Sequence, residues 1–253
     1  MKFDLLLFKF FVAYKFLGFG MKAIVLSAGK GLRMMPLTEK MPKALLKVKG
    51  KSFLERALDS FRKAGIRKVG IVVSYKKEMI IDFFGSFFKG IRIIYIEQEK
   101  PLGTADAVLR ARDFVGEKDF ISVNGDLIFE PEVIKNLKKK DGCDAVLIGR
   151  KVPDPWNFGV LEVQGSILKR IVEKPERGRQ PSNLINAGIY RFSNRIFDAI
   201  QKIKLSKRNE LEITDAINWL AIHEKVEWIP LGAGILDVST PEQLIEAEKK
   251  VWD

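Results

Sequence analysis

The chain has 253 residues, enough to bury one full core with a lobe added, and its 47% hydrophobic and 30% charged content is that of a globular protein. One cysteine, Cys143, and one histidine, His223, exclude an internal disulfide, a Cys/His zinc site and a His-based triad, and make a reducing, cytoplasmic setting the expectation. The 44 Lys+Arg against 32 Asp+Glu give a net +12; the lysine runs fall at expected helix ends and no basic stripe interleaves with aromatics, so no nucleic-acid partner is expected.

Residues 1–20, MKFDLLLFKFFVAYKFLGFG, are aromatic and apolar but interrupted by Asp4, Lys9 and Lys15. That is too short and too broken for a stable membrane span, and Lys9 spoils the apolar centre a signal peptide needs. An upstream start is the favoured reading; an interfacial anchor giving weak membrane association is the other.

Lys22 to Leu26 then reads as a buried parallel strand. It empties into Ser27-Ala28-Gly29-Lys30-Gly31-Leu32-Arg33, where small side chains let backbone N–H groups reach a ligand and two cations stand by. N–H groups with Lys and Arg are what a polyphosphate needs, and Lys43 follows behind Pro42. A dinucleotide fingerprint would require glycine at Met34, and a P-loop would close on Gly-Lys-Ser/Thr; neither is present.

The pattern continues with a helix over 53–64, a strand over 68–73, a helix over 77–88 and a strand over 92–96. Gln98 to Gly103 leads to a helix over 104–114 capped by Thr104, followed by a strand over 120–123, a helix over 131–140 and a strand over 145–149. This alternation implies an α/β fold, a mostly parallel sheet sandwiched by helices. From Lys151 the texture changes to a hairpin (159–163 and 168–172), an extended run over 183–192, and helices over 196–203, 211–223 and 241–251. Residues 151–253 are read as a smaller α+β lobe against a first lobe of 21–150. Asp126, in Asn124-Gly125-Asp126, ends a buried strand, where an acid can hold a divalent cation; a strand-ending turn is the plain alternative. Asp237 has a comparable place before the start signal Ser239-Thr240-Pro241.

Gly29-x-Gly31-x-Arg33, then Pro36-Leu37-Thr38 and Pro42-Lys43, resembles the sugar nucleotidylyltransferases, with Leu32 for the family's Thr and Ala44 for its second Pro. The resemblance runs from Met21 nearly to Asp253 and implies a Rossmann-like fold with a sugar-binding lobe. It assigns Arg33 and Lys43 to catalysis with Asp126. Ala28, Gly29, Gly31, Gln98, Gly103 and Thr104 would bind the nucleotide. Asp126 and Asp237 would hold catalytic Mg²⁺, although Ile235 and Ser239 replace the family's Trp and Gly. Gly159, Glu173 and Asn186 would read the sugar, Lys174 its phosphate, and Glu210 to Asp215 would brace the pocket. The implied partners are a nucleoside triphosphate, UTP or dTTP favoured, and a sugar 1-phosphate, glucose or N-acetylglucosamine favoured. CTP with inositol 1-phosphate, GTP with mannose 1-phosphate, and a non-catalytic nucleotide-binding homologue stay open, as does an oligomer. The chain stops before any repeat resembling a left-handed β-helix, so acetyl transfer is not expected of it.

Overall fold

The computed structural model describes residues 20–231 and 234–252, so the opening segment, Gly20 apart, lies outside the described residues. Among those residues no helix is long and apolar enough to cross a membrane. Strand β1 (Lys22–Leu26) leads through a 3₁₀ turn (Leu32–Met34), helix α1 (Leu37–Lys40) and a second 3₁₀ turn (Lys43–Leu45) to a small hairpin, β2 (Lys47–Val48) and β3 (Lys51–Ser52). Then come α2 (Phe53–Lys63), β4 (Lys68–Val73), α3 (Lys77–Phe84), β5 (Phe87–Phe88), β6 (Ile91–Glu97), α4 (Thr104–Arg110), α5 (Arg112–Val115), β7 (Phe120–Asn124), β8 (Leu127–Phe129) and α6 (Pro131–Lys138). The second half holds β9 (Ala145–Lys151), β10 (Gly159–Gln164), β11 (Ile167–Glu173), β12 (Leu184–Phe192), α7 (Arg195–Ile200), α8 (Ile213–His223), β13 (Val226–Pro230), β14 (Ile235–Asp237) and α9 (Pro241–Lys250).

The main sheet has the order β10-β11-β13-β9-β12-β7-β1-β4-β6-β5. Strands β7, β1, β4 and β6 are parallel, as the alternating pattern requires. Their residues alternate between two cores, which is why they read as unbroken apolar runs. Ala23 and Val25 of β1 pack on the side of α2, α3 and α6, with Phe61 and Ile134. Ile24 faces the other side with Phe120, Phe197 and Ile217, under α4, α7 and α8. Past β7 the sheet becomes mixed: β12 lies antiparallel between β7 and β9, and β10 and β11 form the expected hairpin. Short turns permit only antiparallel neighbours, so a chain that folds back through hairpins cannot extend a parallel sheet.

Several boundaries differ from the sequence pattern. The helix expected over 77–88 stops at Phe84, because Gly85 turns the chain at φ +59° and Phe87–Phe88 pairs with Ile91–Arg92 instead. The one expected over 104–114 divides at Ala111. Strands β8 and β13 were not foreseen; both are short apolar runs beside turn residues, with too little periodicity to separate them from loop.

Candidate functional site

The loop after β1 is held from below and open above. Ser27 N–H donates to Val72 O at 2.9 Å, which carries the ladder one residue beyond the strand. Ala28 is buried against Val72 and Ala107, while Gly29 and Lys30 face solvent. Gly31 sits at φ +66°, and a Cβ there would stand 3.0 Å from Thr38 Cγ2 and 3.2 Å from Lys43 Cβ, so this position admits only glycine without strain. Thr38 Oγ1 donates to Gly31 O at 2.9 Å and ties the loop to α1. Arg33 is exposed, lines the neighbouring cleft and forms no ion pair among the described residues.

The acids converge where β7 ends. Gly125 N–H donates to Leu26 O at 3.0 Å, and a Cβ on Gly125 would fall 2.6 Å from both Leu26 O and Ser27 Oγ. The glycine is therefore what lets the acidic turn lie directly on the loop after β1. Lys43 Nζ donates to Asp126 Oδ2 at 2.8 Å. The pairing of β14 with β8 sets Asp237 opposite Leu127, one residue from Asp126, although the two aspartates are far apart in sequence. Ser239 Oγ lies 2.8 Å from Asp237 Oδ1 and 3.3 Å from Asp126 Oδ2. Burial, reinforced by the Asp126 charge, pushes the Asp237 carboxyl above the usual aspartate range, and Ser239, Lys43 and Arg150 offset only part of it. Two hard oxygen ligands that repel each other in a half-buried site, with a hydroxyl beside them, suit Mg²⁺. That ion takes one or two protein carboxylates and completes its shell with water and substrate phosphate.

Across the cleft, β10 and β11 place Gly159 opposite Glu173. A Cβ on Gly159 would sit 3.0 Å from Glu173 Oε2, so the glycine leaves the carboxylate clear. Burial raises the Glu173 carboxyl, and the Arg208 and Lys174 charges pull it back only partly. Arg208 is 2.8 Å from Glu212 and 3.8 Å from Glu173. Asn186 Nδ2 donates to Tyr190 Oη at 2.7 Å and its Oδ1 accepts from Gly188 N–H at 3.1 Å, which fixes the amide plane on the cleft wall.

The turn before α4 is more tightly packed than its sequence suggests. Gln98 is buried, and its amide donates to Gly103 O at 3.0 Å and to Asp106 Oδ2 at 2.8 Å, so only its carbonyl oxygen is unoccupied. Gly103, at φ +104°, has Leu211 O only 2.5 Å from a would-be Cβ; the chain itself takes up the space the missing side chain leaves. Thr104 does not cap α4. Its hydroxyl accepts from Ile213 N–H at 3.0 Å and caps α8 instead, while Leu211 pairs by backbone with Leu102 and Ala105 and delays the start of that helix.

These walls enclose a cleft of about 400 Å³. It gathers Arg33, Thr104, Asp126, Gly159, Glu173, Lys174, Asn186 and Asp237 from the residues the sequence singled out. Lys43 reaches it through Asp126, whereas Ala28, Gly29, Gly31, Gln98 and Gly103 form its support and rim and are not in its lining. The structure adds Asn124, Arg208, Ser239 and Gln243. Arg208 is flanked by Ser206 and the Glu210–Asp215 run, which was its one sequence signal; Ser239 showed as part of a helix start signal and as a departure from the family's glycine.

Residues 22–253 match the family model described as Nucleotidyl transferase. The chain is 42% identical over 235 residues to the "Bifunctional protein GlmU" of Methanocaldococcus jannaschii, covering 92% of this chain and 55% of that protein. It is 36% identical over 236 residues to a "Bifunctional sugar-1-phosphate nucleotidylyltransferase/acetyltransferase" of Sulfurisphaera tokodaii, covering 92% and 56%. The chain thus spans about half the length of these relatives. In fold it is similar to a UDP-glucose pyrophosphorylase solved with UDP-glucose, at a TM-score of 0.83 and 24% identity over 91% of this chain and 98% of that one. With its small-residue loop and paired acids in one cleft and a family model matched over residues 22–253, the chain belongs to the nucleotidyl transferase family.

Proposed function

We propose that the protein joins a nucleoside triphosphate to a sugar 1-phosphate, giving a nucleoside-diphosphate sugar and pyrophosphate. A sugar-phosphate oxygen attacks the α-phosphorus, a new P–O–P bridge forms, and the bond to the β-phosphate breaks with its electron pair on the leaving pyrophosphate. The observation that carries this reading is the polarity of the cleft. One wall carries Arg33, Lys43 and two aspartates beside a loop of small residues; the other carries the Glu173 carboxylate, an amide and Lys174. The first suits a polyphosphate, the second a hydroxylated ring with one phosphate.

Asp126 and Asp237 would hold Mg²⁺, which supplies charge neutralisation at the triphosphate when bound. Lys43 keeps Asp126 oriented and contributes a cation next to the α-phosphate. Arg33, which forms no ion pair among the described residues, draws on the departing pyrophosphate. Glu173 and Asn186 accept and donate to sugar hydroxyls, and Lys174 with Arg208 screens the sugar phosphate. The second phosphate ionisation lies near pH ~6, so the nucleophile is already an anion at neutral pH and no general base is needed. Positioning and electrostatics are the catalytic contributions left to the chain. UTP or dTTP with glucose 1-phosphate or N-acetylglucosamine 1-phosphate is the favoured pair; the name of the Sulfurisphaera relative supports a sugar 1-phosphate as the acceptor class.

The test is pyrophosphate release with Mg²⁺ across a grid of nucleoside triphosphates and sugar 1-phosphates, with Asp126→Asn as control. Turnover confined to a few pairs and reduced about 10²–10³-fold in the variant is expected, the scale of losing one preorganised electrostatic contact. A blank grid from folded protein that binds nucleotide would overturn transfer and leave a binding protein.

A further inference from the structure

Ser239 occupies a position that neither a capping role nor packing alone explains. It is 7% exposed, and its backbone N–H donates to Gln243 Oε1 at 2.7 Å. The same Gln243 oxygen accepts from Thr240 N–H at 3.1 Å, and Gln243 N–H donates to Thr240 Oγ1 at 3.3 Å, the reciprocal box that opens α9. A helix start this well satisfied holds Ser239 in place. From there its hydroxyl, which has one proton to give, lies 2.8 Å from Asp237 Oδ1 and 3.3 Å from Asp126 Oδ2. Asp126 Oδ2 also accepts from Lys43 at 2.8 Å. One oxygen of each aspartate is thereby held by the chain, while Asp126 Oδ1 and Asp237 Oδ2 form no hydrogen bond among the described residues.

We infer that Ser239, anchored through Gln243, is a positioning residue for the divalent cation: its hydroxyl fixes the Asp237 rotamer while Lys43 fixes that of Asp126, which leaves one oxygen of each for the ion. The inference rests on the metal reading given above. Mg²⁺ tolerates little departure from octahedral geometry, so carboxylates that must first be reoriented bind it less well. Groups that orient metal ligands from behind typically contribute ~10–100-fold in affinity.

The readout is binding and not turnover. Free Mn²⁺ is followed by electron paramagnetic resonance on the full chain, with and without nucleoside triphosphate, for the wild type, Ser239→Ala, Gln243→Ala and Asp237→Asn. Nucleotide affinity in chelator and the melting temperature are measured alongside. Ser239→Ala should weaken Mn²⁺ ~10-fold or more with nucleotide affinity in chelator unchanged. Gln243→Ala, which keeps the hydroxyl but releases its backbone, should show a smaller loss in the same direction. Ser239→Ala and Gln243→Ala both within twofold of wild type, with Asp237→Asn having lost the ion, would overturn the clamp and leave the metal site standing. Wild-type protein that takes up no Mn²⁺ even with nucleotide would overturn the metal site and the clamp together.

Discussion

Glu173 shows how one side chain's surroundings set a measurable property of the whole site. Partial desolvation against the cleft wall raises its proton affinity; Arg208 and Lys174 favour the ionised form, while Glu212 and Asp215 oppose it. In the proposed function Glu173 accepts from sugar hydroxyls, which requires the carboxylate. As pH falls from neutral, Glu173 takes up its proton earlier than an exposed glutamate would, so the KM for sugar 1-phosphate should rise at a pH above the ordinary glutamate range. Glu173→Gln should raise KM at neutral pH and flatten that dependence, because no titrating group remains at the position. A pH profile that keeps its shape in the variant would assign the titration elsewhere. Glu173 and Lys174 were singled out by their likeness to a family motif at the end of a hairpin strand, whereas Asp126 stood out by ending a buried strand. Arg208 was not, since its meaning depends on Glu173 being brought to it from β11; Glu212 is a neighbour in sequence.

At the level of elements, the informative departure is at Thr104. Its sequence neighbours mark a helix start, and a helix does start there, yet its hydroxyl serves the first turn of α8, more than a hundred residues away in sequence. Local pattern can locate a capping residue but not the helix it caps. Thr104→Val, close in shape, should remove that acceptor and lower stability by about 1 kcal/mol, the usual cost of losing a cap. Near the melting point that corresponds to roughly 2–4 °C for a chain of this size. An unchanged melting temperature would mean that water replaces the hydroxyl without loss. The same limitation explains β13, whose place beside β9 is set by partners and not by its own five residues, and the Gln98 amide, whose donors are occupied by its own turn.

Across the whole molecule, the two sequence textures that part near residue 150 share one sheet, because β12 returns to lie between β7 and β9. The α/β alternation was visible in the residues; the insertion of β12 was not, since pairing of distant strands leaves no local trace. Tryptophans 156, 219, 228 and 252 all lie in the second half, whereas far-ultraviolet dichroism reports both halves. Urea unfolding followed by the two probes should therefore coincide in a single transition; a tryptophan transition at distinctly lower urea would show that the second half melts alone. The Gly103–Leu211 contact also bears on redesign. With a carbonyl oxygen 2.5 Å from where a side chain would begin, the turn before α4 cannot be decorated or lengthened without shifting the segment around Leu211 behind it. That segment carries Arg208 and Glu212 into the cleft. Under the proposed function this turn meets the base, and Glu173 with Arg208 the sugar 1-phosphate. An engineer seeking a new base preference would then be altering the grip on the sugar as well, and libraries that vary one end of the cleft at a time should yield fewer active variants than libraries that vary both together.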